Sequence, residues 1–469
     1  MSERELDVII LGAGPAGEVA AGRLGEAGLD VAIVEPHLIG GECSFYACMP
    51  SKALLRPGEL LAEARRIPGV REAVTGELDT RAVLDRRDEI IHGLDDSHME
   101  PWLADRGVAI VRGPGHLDGE RRVRVGDEAL LARRAVIVAT GSAPQIPPVP
   151  GLDQVTPWTN REATTAKEVP ERLVILGGGV VGVEMAQAYA SFGSQVSLVE
   201  GGDRLIGREE PFASEHVREA LEEKGVDVQL GERASAVRVE DGAVAVEVGS
   251  GAGPLRGEQL LVATGRKLNT TDIGLETVGL EPGKPIEVDD QMRANEWLYA
   301  IGDVNGRALL THMGKYQARV AADVILGADS RCLLLDGGQS PRVIFTDPQV
   351  AAVGYTFAAA QEAGLNVRVA DVPTQSAAGA SFYGRDDARG TSRFVVDEDR
   401  RLIVGATFTG PEVAEFLQAA TVAVIGEVTL ERLFHAIPAF PTRSELWLYL
   451  LEQLGVSGPC YPLFAQQPA

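Results

Sequence analysis

The stretch DVIILGAGPAGEVAAGRLGEAGLDVAIVE, residues 7–35, decides the fold. An apolar run, Val8–Leu11, leads into Gly12, Gly14 and Gly17 in a G-x-G-x-x-G turn, and an alanine-rich helical stretch follows. The first glycine permits a tight turn, the second lets a pyrophosphate reach the backbone, and the third lets helix and strand pack closely. A phosphate would then rest on the helix N-terminus, where free N–H groups and the dipole favour negative charge. Glu35, eighteen residues past Gly17, ends the next strand and is placed to accept from ribose hydroxyls.

The same arrangement recurs at RLVILGGGVVGVEMAQAYASFGSQVSLVE, 172–200, with Gly177, Gly179, Gly182 and, again eighteen residues on, Glu200. One glycine-rich turn often serves packing alone. Two copies with equal spacing to an acid predict two dinucleotide sites and an α/β fold built on two Rossmann-like units. An acid at the second site disfavours the 2′-phosphate of NADP and points to NADH; Arg204 and Arg208 are the residues that would hold that phosphate if NADP(H) is used. AVIVATGSAP (135–144) and LLVATGRKLN (260–269) each read as a strand ending in Ala-Thr-Gly beside a nucleotide, which brings in Thr140, Gly141 and Gly265. WLYAIGDVNG (297–306) sets Asp303 at the C-terminal edge of a strand, where ligands gather in such sheets.

The chain has 469 residues, which implies several domains. Its composition, 45% hydrophobic and 24% charged, is that of a globular protein rather than a disordered one. A net charge of −24 argues against nucleic acid or anionic membrane as partners, because the basic runs at 121–124 and 132–134 read as solvated strand faces. The N-terminal apolar run is one buried strand rather than a signal peptide, and no window has the length of a membrane span. With four cysteines the expected compartment is the cytoplasm.

Two of the four, Cys43 and Cys48, stand close together in GGECSFYACMPSK, 40–52. Five residues apart on a regular helix, their Cα atoms would lie about 8–9 Å apart. A disulfide wants less than about 7 Å. A bridge therefore requires an irregular first turn, which Gly40-Gly41 and Pro50 would favour, and a bridge in poor geometry is readily reduced. Two other readings stay open: buried free thiols, or half of a zinc site. Zinc needs four ligands, and no second close Cys/His pair is visible, so no metal site is expected.

With these motifs in place the chain resembles the FAD-dependent pyridine nucleotide–disulfide oxidoreductases, the group of dihydrolipoamide dehydrogenase, glutathione reductase and mercuric reductase. The resemblance runs from Asp7 to about Leu450 and includes VIFTDPQVAAVGYT, 343–356, similar to the start of that family's dimer-forming domain. It implies an FAD domain split between 1–150 and 272–340, an NAD(P) domain at 151–271, and a C-terminal α+β interface domain at 341–469 of a homodimer. It also implies that Gly12, Gly14, Gly17, Glu35 and Asp303 hold FAD, and that Gly177, Gly179, Gly182 and Glu200 hold NAD(H). Lys52 and Glu184 match a lysine and glutamate that pair beside the flavin. Cys43 and Cys48 would form the redox-active disulfide, with Cys43 as the interchange thiol and Cys48 as the flavin-side, charge-transfer thiol.

The family's disulfide reductases usually carry a His-Pro-Thr-x-Ser-Glu loop, supplied across the dimer. Here AFPTRSE, 439–445, keeps Glu445 but has Phe440 at the histidine position. An imidazole can take a proton from one thiol and return it to a leaving thiolate, and phenylalanine can do neither. His435 lies five residues upstream and would need an insertion to reach. The expected acceptor is a small disulfide or dithiol, the alternatives being a metal ion, as in mercuric reductase, or a quinone. A C-terminal Cys460 beside Tyr461 is the nearest match to mercuric reductase's terminal cysteine pair. A flavoprotein that only senses or binds is a different class, disfavoured by the full set of cofactor motifs and both cysteines.

Overall fold

The computed structural model describes residues 2–249, 253–333, 336–383 and 389–456, so Cys460 and Tyr461 lie outside the described residues. The chain forms two compact units. The first comprises 1–57, 78–201 and 226–338, and the second 58–77, 202–225 and 339–469.

The first unit holds two mainly parallel sheets, the larger seven-stranded with Arg122–Val125 and Gly115–Leu117 added antiparallel at its edge. In the larger, Val108–Arg112, Val31–Glu35, Ser2–Leu11 and Glu128–Val138 lie side by side in that order. The chain returns from far downstream to add Leu298–Ala300 beside Val136–Val138. Ser2–Leu11 is the central strand, and its alternate residues go to opposite faces. Val8 and Ile10 pack under the helices Pro15–Glu26 and Thr311–Ile325, with Ala20, Ala21, Leu24, Ala318 and Ala321. Ile9 and Leu11 pack on the other side with Val34, Val136, Val138 and Leu298. Burial on both faces is why this strand is a continuous apolar run rather than an alternating one.

The smaller sheet repeats the design, with Asp227–Leu230, Gln195–Glu200, Arg172–Leu176 and Gln259–Val262 all parallel. The two Ala-Thr-Gly segments meet just beyond their strands, because Ser142–Pro144 pairs antiparallel with Arg266–Leu268. The second unit is built on a five-stranded antiparallel sheet in the order Arg342–Ile344, Gln349–Gly354, Leu402–Gly410, Thr391–Asp397 and Val367–Pro373. Phe394 and Phe408 fill its core edge-to-face, and Trp447 packs on Phe394. The chain is thus an α/β protein with two Rossmann-like sheets and a C-terminal α+β domain. No helix among the described residues is long and apolar enough to cross a membrane.

Candidate active site

The two glycine turns are alike in detail. Gly12 and Gly177 have φ of +102° and +107°, and a β-carbon on either would lie 2.4 Å from the carbonyl oxygen of Ala139 or Ala263. A β-carbon on Gly17 or Gly182 would strike the carbonyl oxygen of Gly12 or Gly177 at 2.0 and 1.9 Å. These four are fixed by the protein's own backbone. At Gly14 and Gly179 a β-carbon would meet nothing within 4 Å. Open space over the middle glycine, at the start of a helix, is what a pyrophosphate requires, so both turns fit a dinucleotide.

The acids close the turns. Glu35, which is buried, accepts from Ala13 N at 2.8 Å and His37 N at 2.8 Å. Glu200 accepts from Gly178 N at 2.5 Å. Each carboxylate thus holds the residue between the first two glycines, a role that the ribose reading did not include. Around the second acid, Arg204 Nη2 is turned onto the carbonyl of Gly207. Arg233, which the sequence did not single out, runs beside Gly201, where a β-carbon would stand 2.9 Å from its Nε.

Asp303 lies just past the returning strand, and Ser142 Oγ donates to it at 2.5 Å. Burial pushes the Asp303 carboxyl up, and Ser142 and Arg266 pull it back. Arg266 donates to Ser142 Oγ and to its carbonyl, both at 2.6 Å, and comes within 3.6 Å of Glu42. Glu42 in turn takes Arg161 at 2.5 Å and Asn160 at 2.8 Å. A polar chain therefore runs from Asp303 to the residue just before Cys43. Thr140 is tied down, donating to the Asn269 carbonyl at 2.8 Å and accepting from Asn269 Nδ2 on its own carbonyl at 2.9 Å. The Gly265 carbonyl accepts from Gln145 N at 2.9 Å, and the Gly141 carbonyl from Asn269 N at 3.0 Å.

Cys43 sits in the short helix Gly41–Phe45 and Cys48 opens the helix Cys48–Arg66. The break falls at Tyr46–Ala47, between the cysteines, with Gly40 and Gly41 left-handed before it (φ +113° and +56°) and Pro50, which has no N–H to give the Tyr46 carbonyl, after it. The Tyr46 carbonyl, left without a helical donor by Pro50, accepts from Asn160 Nδ2 at 2.9 Å and Thr164 Oγ1 at 3.0 Å. Arg161 lies over the Tyr46 ring at 4.9 Å, and Phe45 is buried.

The two sulfurs are unbridged and hydrogen-bonded to each other. They are not equivalent. The interaction with Cys43, helped by Thr311 and Lys52, draws Cys48 down to about 6 against its burial. The same bond and burial push Cys43 up. Thr311 Oγ1, at the start of Thr311–Ile325, stands 3.4 Å from Cys48 Sγ. Lys52 Nζ lies 3.2 Å from Ser51 Oγ and 2.8 Å from Glu184 Oε2, and the Glu184 side chain is only 4% exposed. The pair links the cysteine helix to the helix behind the second glycine turn, Val180–Ser191.

In the second unit, Phe440 is 75% exposed. Arg443 is buried, donates to the Pro411 carbonyl and lies over Phe416 at 4.9 Å. Glu445 Oε2 is buried without a hydrogen-bond donor among the described residues. His435 packs edge-on against Phe434 at 5.5 Å.

Against known proteins, residues 6–322 match the model of the pyridine nucleotide-disulphide oxidoreductases, and 340–450 that of the family's dimerisation domain. The chain is 31% identical to dihydrolipoyl dehydrogenase of Chlamydia muridarum, over 94% of this chain and 95% of the relative. It is 29% identical to mercuric reductase of Staphylococcus aureus, over 94% of this chain and 81% of the relative. Its fold matches LpdA of Mycobacterium tuberculosis with a TM-score of 0.83 at 25% identity, covering 97% and 100% of the two chains. The HOCl-induced flavoprotein disulfide reductase RclA of Escherichia coli, in its Cu(II) complex, matches in fold with a TM-score of 0.84 at 24% identity, covering 96% and 99%. Family members use FAD and NAD(P)H. The twin glycine turns, the paired cysteines and these matches place the chain in the pyridine nucleotide–disulfide oxidoreductase family, as an NAD(P)H-dependent flavoprotein enzyme.

Proposed function

We propose that this protein passes electrons from NADH to a small disulfide or dithiol-type acceptor through the Cys43–Cys48 couple, working as a homodimer without an imidazole base. The observation that carries the reading is the setting of Cys48: its Sγ lies 3.4 Å from Thr311 Oγ1, and Lys52, paired with Glu184 at 2.8 Å, stands one helical turn on. Those neighbours and Cys43 favour a thiolate at Cys48. Cys43 keeps its proton. That division suits Cys48 to the flavin side and Cys43 to exchange with the acceptor. FAD bound over the first glycine turn would supply two-electron transfer between nicotinamide and the cysteine pair.

The other residues have roles that follow from their positions. The Lys52–Glu184 pair keeps a positive charge close to Cys48 and orders the helix that carries it. Glu42, held by Arg161 and Asn160, fixes the helix bearing Cys43. Glu200 favours NADH by occupying the place a 2′-phosphate would need. At the loop 439–445, Phe440 stands where the family's disulfide reductases have histidine. The orphaned Glu445 oxygen supports this reading, because it is an acceptor with no imidazole N–H to receive. Loss of such an acid–base group costs about 10²–10⁴-fold in rate. The acceptor is therefore one whose thiols leave with little help.

Anaerobic titration with NADH, then a panel of disulfides, Hg(II) and quinones, tests the proposal. Oxidation of the reduced enzyme by a disulfide, lost in Cys43→Ser, supports it. Oxidation by Hg(II) alone would move the acceptor to metal ions. Oxidation by quinone that survives loss of both cysteines would make the thiols bystanders. NADPH outpacing NADH in flavin reduction would transfer the coenzyme preference to Arg204, Arg208 or Arg233.

A further inference from the structure

Three helix ends converge beside the cysteines. A β-carbon on Gly41, in the helix of Cys43, would lie 3.0 Å from Gly14 Cα at the start of Pro15–Glu26. A β-carbon on Gly314, in Thr311–Ile325, would lie 3.2 Å from Ala16 Cβ in that same first helix. Packing this close brings the first turn of each helix into one small region. On Thr311–Ile325, Thr311 touches Cys48, and Lys315 is one turn further along the same face. On Pro15–Glu26, Glu18 is one turn past Gly14 and has a buried Oε1 with no hydrogen-bond donor among the described residues. None of these side chains belongs to the expected cofactor or thiol set.

The charges facing one another here are few. Cys43 is faced by Cys48 and Thr311, which are hydrogen-bonded to it, and by Lys315 as the nearby cation. Glu42 on its own helix is turned to Arg161 and Arg266. Glu18 is faced by Lys315 and by Glu35. Lys52 acts on Cys48. Burial raises the Glu18 carboxyl to about 7, with Lys315 opposing that rise and Glu35 adding to it.

We propose that Lys315 is the positioning residue for the interchange thiol, its same-subunit ammonium holding the Cys43 thiolate where the imidazole is missing, with Glu18 tuning that charge. The inference rests on the reading of Cys43 as the interchange thiol. With Cys43 ionised, its sulfur attacks one sulfur of the acceptor, so that one S–S bond forms and the acceptor's own breaks. The leaving thiolate takes a proton from water. Cys48 then closes on Cys43 and expels the second thiolate, so two electrons pass from the dithiol to the acceptor. Lys315 exchanges no proton in these steps, and only its electrostatic effect is used. Below the Glu18 midpoint the carboxyl is neutral and Lys315 acts in full. Above it the carboxylate offsets the ammonium.

The test is the pH profile of Cys43 alkylation by iodoacetamide, in reduced holoenzyme carrying Cys48→Ser so that Cys43 reports alone. Lys315→Met should raise the Cys43 midpoint by about one unit, the size expected for loss of one nearby opposite charge. Lys315→Arg should restore it. Glu18→Gln should move the midpoint the other way and speed alkylation at pH 8 while leaving it unchanged at pH 6. Opposite signs separate this effect from general damage, since misfolding would move both variants together. An unchanged midpoint in Lys315→Met, or shifts of the same sign in both variants, overturns the proposal. The underlying reading fails differently: in reduced wild type, a bulky disulfide reagent would then mark Cys48 before Cys43.

Discussion

Replacing Cys43 with alanine should strip the Cys48 thiolate of its chief support. In the structure the largest influence on Cys48 is the hydrogen bond from Cys43, with Thr311 at 3.4 Å and the Lys52 charge as lesser ones, all working against burial. At a midpoint of about 6, roughly nine-tenths of Cys48 is thiolate at pH 7. Without the Cys43 donor, burial offsets what Thr311 and Lys52 still give, and the thiol returns to about 8.5. The thiolate share at pH 7 then falls to about 3%, roughly thirtyfold. A more basic thiolate is also a better nucleophile, with a Brønsted slope of about 0.4–0.5, which recovers about tenfold over this shift. Alkylation at a single pH would therefore drop only about threefold, so the midpoint is the quantity to measure. Rates of iodoacetamide modification of the Cys48 peptide, followed by mass spectrometry from pH 5 to 10 on reduced protein, should give midpoints of about 6 for wild type and about 8.5 for Cys43→Ala. Cys43→Ser keeps a donor and should stay near the wild-type value. A Cys43→Ala midpoint that remains near 6 would show that the thiolate is held by Lys52 and Thr311, and that the asymmetry between the two cysteines has another origin.

Phe440→His should raise disulfide turnover at neutral pH by about tenfold or more, and adding Glu445→Gln should remove most of that gain; steady-state rates with one small disulfide measure both, and NADH-driven flavin reduction should not change. Gly14→Ala should fold with near-wild-type thermal stability yet lose FAD on gel filtration, because its β-carbon enters open space where the pyrophosphate would lie. Gly17→Ala should instead destabilise the fold itself by about 1–3 kcal/mol in urea unfolding, since its β-carbon would strike the Gly12 carbonyl at 2.0 Å. Lys52→Met should cost roughly 2 kcal/mol, less than for a fully buried pair because the lysine is partly exposed, by removing the cation paired with the buried Glu184 carboxylate; the double variant with Glu184→Gln should recover most of it in the same assay.

What the sequence made legible is what a short span of chain encodes. The glycine turns could be read because their spacing, the apolar strand before and the acid after all lie within thirty residues. The Lys52–Glu184 pair, though its partners are far apart in sequence, followed from resemblance and lies at 2.8 Å. The break between the cysteines was legible because Pro50 lacks the N–H that a helix would give the Tyr46 carbonyl. What takes that carbonyl instead was not: Asn160 and Thr164, more than a hundred residues away. Thr311 and Lys315 carry no motif. They reach the cysteines only because the chain returns to the first sheet at Leu298–Ala300 and runs its next helix against the first. Arg266 and Ser142 stood inside a recognised segment, but nothing in the spelling tied them to Asp303 or to Glu42.

The cysteine pair poses an electrostatic problem of its own. Reduction of an acceptor by a dithiol needs both sulfurs to lose protons in turn, and each thiolate in a part-buried site needs a positive or donating neighbour. Cys48 has three such neighbours, and the first of them is Cys43 itself. When Cys43 ionises, that donor becomes a second negative charge, so the arrangement that favours the first thiolate opposes the second. An imidazolium would relieve this by receiving the proton close by. Phenylalanine, at the position where the family's disulfide reductases usually have histidine, offers no such group. Among the described residues, the cations acting on the pair are Lys52, already held by Glu184, and Lys315, which faces Glu18 and Cys43. The second ionisation therefore depends on Lys315 and on the charge of Glu18.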